Sequence, residues 1–223
     1  MTGPRLSIIA AAWLLIALAP VGARAQETPA PSSKPIILFL GDSLTAGYGL
    51  ENPAAQAYPA LIQQKINAAG LNYEVVNAGV SGDTSAGGLH RMGWVLRRPP
   101  AILVLALGAN DGLRGLPPDE MRRNLQGIID AAKARNPNVR VLIAGMHLPP
   151  NFGPDYDARF SAVFPQLAKD NPGVCVLLPF LLEGVGGIER LNQQDHIHPT
   201  AEGDRLVADT VWKALEPMCR PAA

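Results

Sequence analysis

Residues Ile36 to Gly49 read I-I-L-F-L-G-D-S-L-T-A-G-Y-G, and the parsing of that stretch decides the fold. The apolar run Ile36 to Leu40 stops at Gly41, and Asp42 and Ser43 follow at once. A short apolar run bounded by glycine predicts a buried strand. An open α/β sheet places ligands beyond the carboxyl ends of its strands. Ser43 is therefore expected at the exposed tip of the first strand, where a serine acts as a nucleophile if a base reaches it. The competing reading makes Gly-Asp-Ser an ordinary turn, since these residues favour turns for local reasons.

Outward from this stretch, strands and helices alternate. Leu61, Ile62, Ile66 and Ala69 are spaced for a helix over Ala57 to Ala69, ended by Gly70. A strand is expected at Tyr73 to Val76, with a Gly-rich loop from Asn77 to Thr84 and then a helix to about Arg97. Ala101 to Leu107 predicts a third strand that ends in Gly108-Ala109-Asn110-Asp111. Met121, Leu125, Ile128, Ile129 and Ala132 form one helical stripe, and Asp119 and Glu120 suit its first turn. Further strands are expected at Val139 to Ala144 and Val174 to Leu178, with a loop at His147 to Gly153 and a helix at Asp157 to Ala168. A last helix is expected from Ala201 to Leu215, with Leu206, Val207, Val211 and Leu215 inward and Pro217 as its stop. This alternation predicts an α/β fold: a three-layer α/β/α sandwich around a parallel sheet of about five strands. Polar, Gly-rich loops then follow the first three strands at one edge of the sheet.

The amino-terminal end reads as an export signal. Arg5 precedes an apolar run from Leu6 to Leu18, and Ala23-Arg24-Ala25 has the form of a cleavage site. The run is short for a membrane span. The expected division is a signal over 1–25, a Pro- and Ser-rich linker over 26–34, and one domain over 35–223. A chain of 223 residues suits one such domain. The formal net charge is +0 and charged residues make up 17%, so no nucleic-acid footprint is present. Arg97-Arg98 and Arg122-Arg123 read as solvated faces.

A serine nucleophile needs a base, and the base needs an orienting acceptor. Asp195-His196-Ile197-His198-Pro199, just before the last helix, supplies both. Residues three apart in a helical turn face the same way and immediate neighbours do not. Asp195 is thus expected to orient His198, with His196 pointing elsewhere. His90, His147 and His196 read as ordinary surface or core groups. Acyl transfer also needs donors aimed at the developing oxyanion. The backbone N–H groups of Ser43 and Gly82 and the side-chain amide of Asn110 are the candidates.

With these residues in hand, the chain resembles the SGNH or GDSL hydrolases. The blocks are Gly41-Asp42-Ser43-Leu44, Gly82 within Asn77 to Thr84, Gly108-Ala109-Asn110-Asp111 and Asp195-x-x-His198. It is most similar to the bacterial thioesterase/arylesterase/lysophospholipase branch, through Gly-Asp-Ser-Leu-Thr-Ala-Gly-Tyr, Ser-Gly-Asp-Thr-Ser and Asn-Asp-Gly-Leu-Arg-Gly. The resemblance implies a flavodoxin-like sheet and Ser43, Gly82, Asn110 and His198 as the four name-giving residues. It also implies Asp195 as the third member of the triad, a small-molecule ester or lipid substrate, and neither cofactor nor metal. The linker and the pair Cys175 and Cys219 depart from the pattern without touching the chemistry.

Two other readings compete. A metal-dependent phosphoesterase would use Asp42, Asn110, Asp111, His196 and His198, but it needs an Asp-x-His on the first strand, and no histidine precedes His90. A binding module on the same fold would lack turnover, and such copies normally lose a triad member. The triad order Ser, Asp, His is shared with nucleophile-elbow enzymes, but G-x-S-x-G is absent around Ser43. An oxidising compartment favours a Cys175–Cys219 disulfide tying the tail to the sheet, the alternative being two unpaired thiols.

Overall fold

The structure, a computed structural model, describes residues 34–220. The expected signal, all of the expected linker but Lys34, and the tail beyond Arg220 lie outside the described residues. In chain order the elements are β1 (Ile36–Gly41), α1 (Ser43–Ala46), α2 (Pro53–Gln56), α3 (Tyr58–Ala68), β2 (Glu74–Gly79), α4 (Ser85–His90) and α5 (Met92–Val95). Then follow β3 (Ile102–Ala106), α6 (Ala109–Leu113), α7 (Pro118–Arg135), β4 (Arg140–Ala144), α8 (Pro154–Asp170), β5 (Cys175–Leu178) and α9 (Ala201–Cys219).

β1 is buried along its whole length. It takes a parallel neighbour on each side, with Ile37 opposite both Val75 and Ile102. A strand flanked on both edges and covered on both faces needs apolar side chains throughout, which explains the unbroken run. β3 pairs onward with β4 and β4 with β5, all parallel. The five strands lie in the order β2-β1-β3-β4-β5. This is the expected sandwich with a flavodoxin-like strand order. α3 packs on α9 over one face, and α4, α7 and α8 pack together over the other. The α7 stripe of Met121, Leu125, Ile128, Ile129 and Ala132 is fully buried, as its spacing requires.

The chain leaves β1 to build β2 on one side and returns to build β3 on the other. The segments leaving β1 and β3 therefore diverge and open a crevice between them. Ser43 and Asn110 both stand at that crevice, each just past the end of its strand.

Several expected boundaries shift for identifiable reasons. β2 runs on to Gly79, so Asn77, Ala78 and Gly79 belong to the strand and pair with Phe39, Leu40 and Gly41. The Asn77 amide donates to the Thr45 carbonyl at 2.8 Å and so fastens α1 onto the strand end. α1 sits so close that a Cβ on residue 79 would lie 2.3 Å from the Ala46 nitrogen, which leaves glycine as the residue that fits. The helix expected to reach Arg97 is broken at Arg91 into α4 and α5. Gly87, Gly88 and Gly93 weaken helix formation there. Arg91 is itself committed elsewhere: its guanidinium binds Asp83 at 2.8 Å and donates to the Gly41 carbonyl at 3.2 Å.

α9 does not stop at Pro217 but contains it and continues to Cys219. Met218 and Cys219 are buried, so packing of the final turn outweighs the hydrogen bond that proline removes. Leu206, expected inward, is 37% exposed, whereas Val207, Val211 and Leu215 are buried. Cys175 and Cys219 are free thiols, and the expected disulfide is not formed. Burial raises both thiols to about 11. Among the described residues, no helix is long and apolar enough to cross a membrane.

Candidate active site

Ser43 is the first residue of α1, directly beyond β1. Asp42 caps that helix, accepting from the Leu44 N–H at 3.0 Å. The short helix thus turns the chain sharply off the sheet and presents the Ser43 hydroxyl at the crevice. The Ser43 Oγ lies 2.8 Å from His198 Nε2, and His198 Nδ1 lies 2.7 Å from Asp195 Oδ2.

The turn that delivers Asp195 and His198 is not helical. Asn192 and Pro199 bridge antiparallel at its base, and the Gln193 N–H donates to the His198 carbonyl at 2.7 Å. Within the turn, Asp195 Oδ1 accepts from the backbone N–H groups of Ile197 at 2.9 Å and His198 at 3.0 Å. The three-residue spacing works because the carboxylate folds its own backbone around itself. His196 has φ 58°, the left-handed conformation the tight turn demands. The hydrogen bond from the His198 backbone, then those from the His198 ring and the Ile197 N–H, hold Asp195 down to about 2. It is therefore ionised at neutral pH and faces the imidazole as an acceptor.

Asn110 lies in α6, just past β3. Its amide donates to the Asp83 carbonyl at 3.0 Å and lies 3.4 Å from Asp42 Oδ2. The Gly82 carbonyl accepts from the Arg114 guanidinium at 2.8 Å. These contacts join the segments after β1, β2 and β3, so the carriers of Ser43, Gly82 and Asn110 form one hydrogen-bonded body. Asp111, the neighbour of Asn110, is buried and accepts from the Ser85 N–H at 2.8 Å and the Ser85 hydroxyl at 2.5 Å. It anchors α4 and faces away from the crevice chemistry.

Asp42 is also buried, and loss of solvation raises it to about 6 against the Leu44 hydrogen bond and the field of His198. The sequence reading passed over Asp83, Arg91, Arg114, Gln193 and Tyr48 as individual residues. Their contacts span loops, so no local spacing marks them. His198 Nδ1 faces Asp195 and Nε2 faces Ser43. Among the described residues, no three His, Cys, Asp or Glu side chains gather as a cation site requires.

A hydroxyl, an imidazole and an ionised carboxylate joined by hydrogen bonds make a serine hydrolase constellation. The comparisons with known proteins agree. The GDSL-like lipase/acylhydrolase family model matches residues 39–206. Esterase TesA of Pseudomonas aeruginosa is 43% identical over 183 residues, covering 82% of this chain and 88% of that protein. The thioesterase 1/protease 1/lysophospholipase L1 of Escherichia coli K12 is 40% identical over 185 residues, covering 82% and 84%. The crystal structure of the psychrotrophic esterase EstA from Pseudoalteromonas sp., inhibited by monoethylphosphonate, superposes with a TM-score of 0.75 at 32% identity, covering 82% and 97%. The chain belongs to the GDSL-like lipase/acylhydrolase family and is an ester hydrolase.

Proposed function

We propose that the protein is an exported serine esterase acting on carboxylic esters through an acyl-enzyme, with aryl esters, acyl thioesters and lysophospholipids as its substrate class. The unbroken hydrogen-bond chain from the Ser43 hydroxyl through His198 to Asp195 carries the reading. Ser43 Oγ attacks the substrate carbonyl carbon while His198 Nε2 takes its proton. Asp195 holds the imidazole in the tautomer that leaves Nε2 free to accept. The negative charge passes to the carbonyl oxygen, which the N–H groups of Ser43 and Gly82 and the Asn110 amide receive. The intermediate collapses, the carbon–oxygen or carbon–sulfur bond to the leaving group breaks, and the departing alcohol or thiol takes the proton from Nε2. Water then repeats the sequence on the acyl-Ser43 ester and releases the acid.

The substrate class is supported by the printed activities of the relatives and by the local blocks around Ser43, Gly82 and Asn110. Export is supported by the signal-like residues 1–25, with linker 26–34 and the domain at 35–223. The mature protein should hydrolyse p-nitrophenyl esters, and a fluorophosphonate should label Ser43 and abolish turnover. Hydrolysis near the wild-type rate in Ser43→Ala removes the proposal.

A further inference from the structure

We propose that Tyr48 is a positioning residue for His198, its ring packed on the imidazole and holding it in line between Asp195 and Ser43. The inference rests on the reading of Ser43, His198 and Asp195 as the reacting set. The two ring centroids are 4.7 Å apart with their planes at 44°. Two hydrogen bonds, one at each nitrogen, fix the long axis of the imidazole but leave the ring free to rock about that axis. A ring packed at this tilt against the imidazole restricts that freedom. It also receives the positive charge that the ring acquires on taking the serine proton, because an aromatic face attracts a cation.

Tyr48 is 55% exposed, yet its segment is pinned from both sides. Its N–H donates to the Ser43 carbonyl at 3.0 Å, tying it to the nucleophile. The Gln193 amide donates to the Tyr48 carbonyl at 2.7 Å and to the Pro199 carbonyl at 2.9 Å. One side chain therefore joins the segment that carries Ser43 to the turn that carries His198. The two segments meet so tightly that a Cβ on residue 49 would lie 2.0 Å from Gln193 Oε1, and Gly49 has φ +74°. An exposed tyrosine held this firmly against the imidazole has a use beyond filling the surface.

The test compares Tyr48→Leu, Tyr48→Phe and Gln193→Leu in the mature protein. Three quantities are read: the second-order rate of Ser43 labelling by a fluorophosphonate, kcat and KM on an aryl and an alkyl ester of the same acid, and melting temperature. Tyr48→Leu should lower labelling and kcat about tenfold for both leaving groups, with KM changed less than about twofold and folding intact. Tyr48→Phe keeps the ring and recovers most of the rate. Gln193→Leu keeps the ring but frees its segment and should show the same loss in smaller measure. Wild-type labelling rates in Tyr48→Leu, or in Gln193→Leu should the first variant not fold, overturn the inference while leaving Ser43 as nucleophile. A deficit confined to the aryl ester makes Tyr48 a substrate contact and overturns it as well. Failure of the wild-type protein to label at Ser43 removes the underlying reading instead.

Discussion

The site joins two regions built in opposite ways. The nucleophile side is part of the core: β1 is buried throughout, Asp42 is 1% exposed, and α1 rests on the end of β2. The acid–base side is an exposed turn that holds itself together through the Asp195 carboxylate and the Asn192–Pro199 bridge. Each region places a carboxylate near His198, and the two are driven in opposite directions. Burial raises Asp42 to about 6, whereas hydrogen bonds lower Asp195 to about 2. Solvation, rather than distance from the imidazole, decides which of them serves it as a permanent anion. The core carboxylate caps α1; the turn carboxylate folds its own backbone and meets the imidazole.

The largest effect that could break this comparison is on turnover. Asp195→Asn keeps the shape of the turn but replaces the acceptor of the imidazole N–H, so kcat should fall by about 10⁴-fold. Because Asp195 is exposed, its contribution above pH 4 is screened by solvent, and the melting temperature at neutral pH should fall only slightly. A variant that loses stability but keeps its rate would make Asp195 a fold residue and erase the distinction. Next in size, Asn110→Ala removes one donor to the oxyanion and should lower kcat about 100- to 1,000-fold with KM little changed. A near-normal kcat with a lower melting temperature would confine Asn110 to its contact with the Asp83 carbonyl.

The third effect is on stability and carries the opposite sign for the two carboxylates. Asp42 is raised in the folded protein, so between pH 4 and 6 the unfolded chain gives up its proton first and stability falls as pH rises. The rise from 3.8 to about 6 corresponds to about 3 kcal/mol. Asp204, which burial raises to about 7, adds a slope of the same sign. Asp195 is lowered, so its contribution is present above pH 4 and is lost as pH falls towards 2. Asp42→Asn should raise the melting temperature at pH 7 and flatten the dependence between pH 4 and 6, because the amide oxygen can still cap α1. An unchanged slope would show that Asp42 is not the carboxylate that burial perturbs. The smallest expected effect is none at all: a reducing agent should leave the melting temperature unchanged, since Cys175 and Cys219 are free. A drop on reduction would restore the disulfide.

The reach of the sequence differed from element to element. The unbroken run of β1, the stripe of α7 and the Asp195-x-x-His198 spacing are each written within a few consecutive residues. They were legible because strand burial, helix periodicity and close spacing in a turn are local physics, although the Asp195 turn was expected helical and instead folds around its own carboxylate. The break at Arg91 was legible only in part: Gly87, Gly88 and Gly93 weaken the helix locally, but the bond from Arg91 to the Gly41 carbonyl comes from a distant strand. The run of α9 through Pro217 was not legible, because only packing of Met218 and Cys219 reveals it. Asn110 was expected at a strand end, and it lies just past β3. The Tyr48 and Gln193 contacts, more than 140 residues apart in sequence, left no pattern to read.

The Asn192–Pro199 bridge closes the Asp195–His198 segment into a clasp with its own internal ties. Its two working side chains therefore travel together, like a tool head on a handle. The vulnerable dimension is the gap between head and sheet, spanned by the Ser43–His198 bond and the Gln193 amide. On warming, activity should fade through the parting of two sound halves before either half melts.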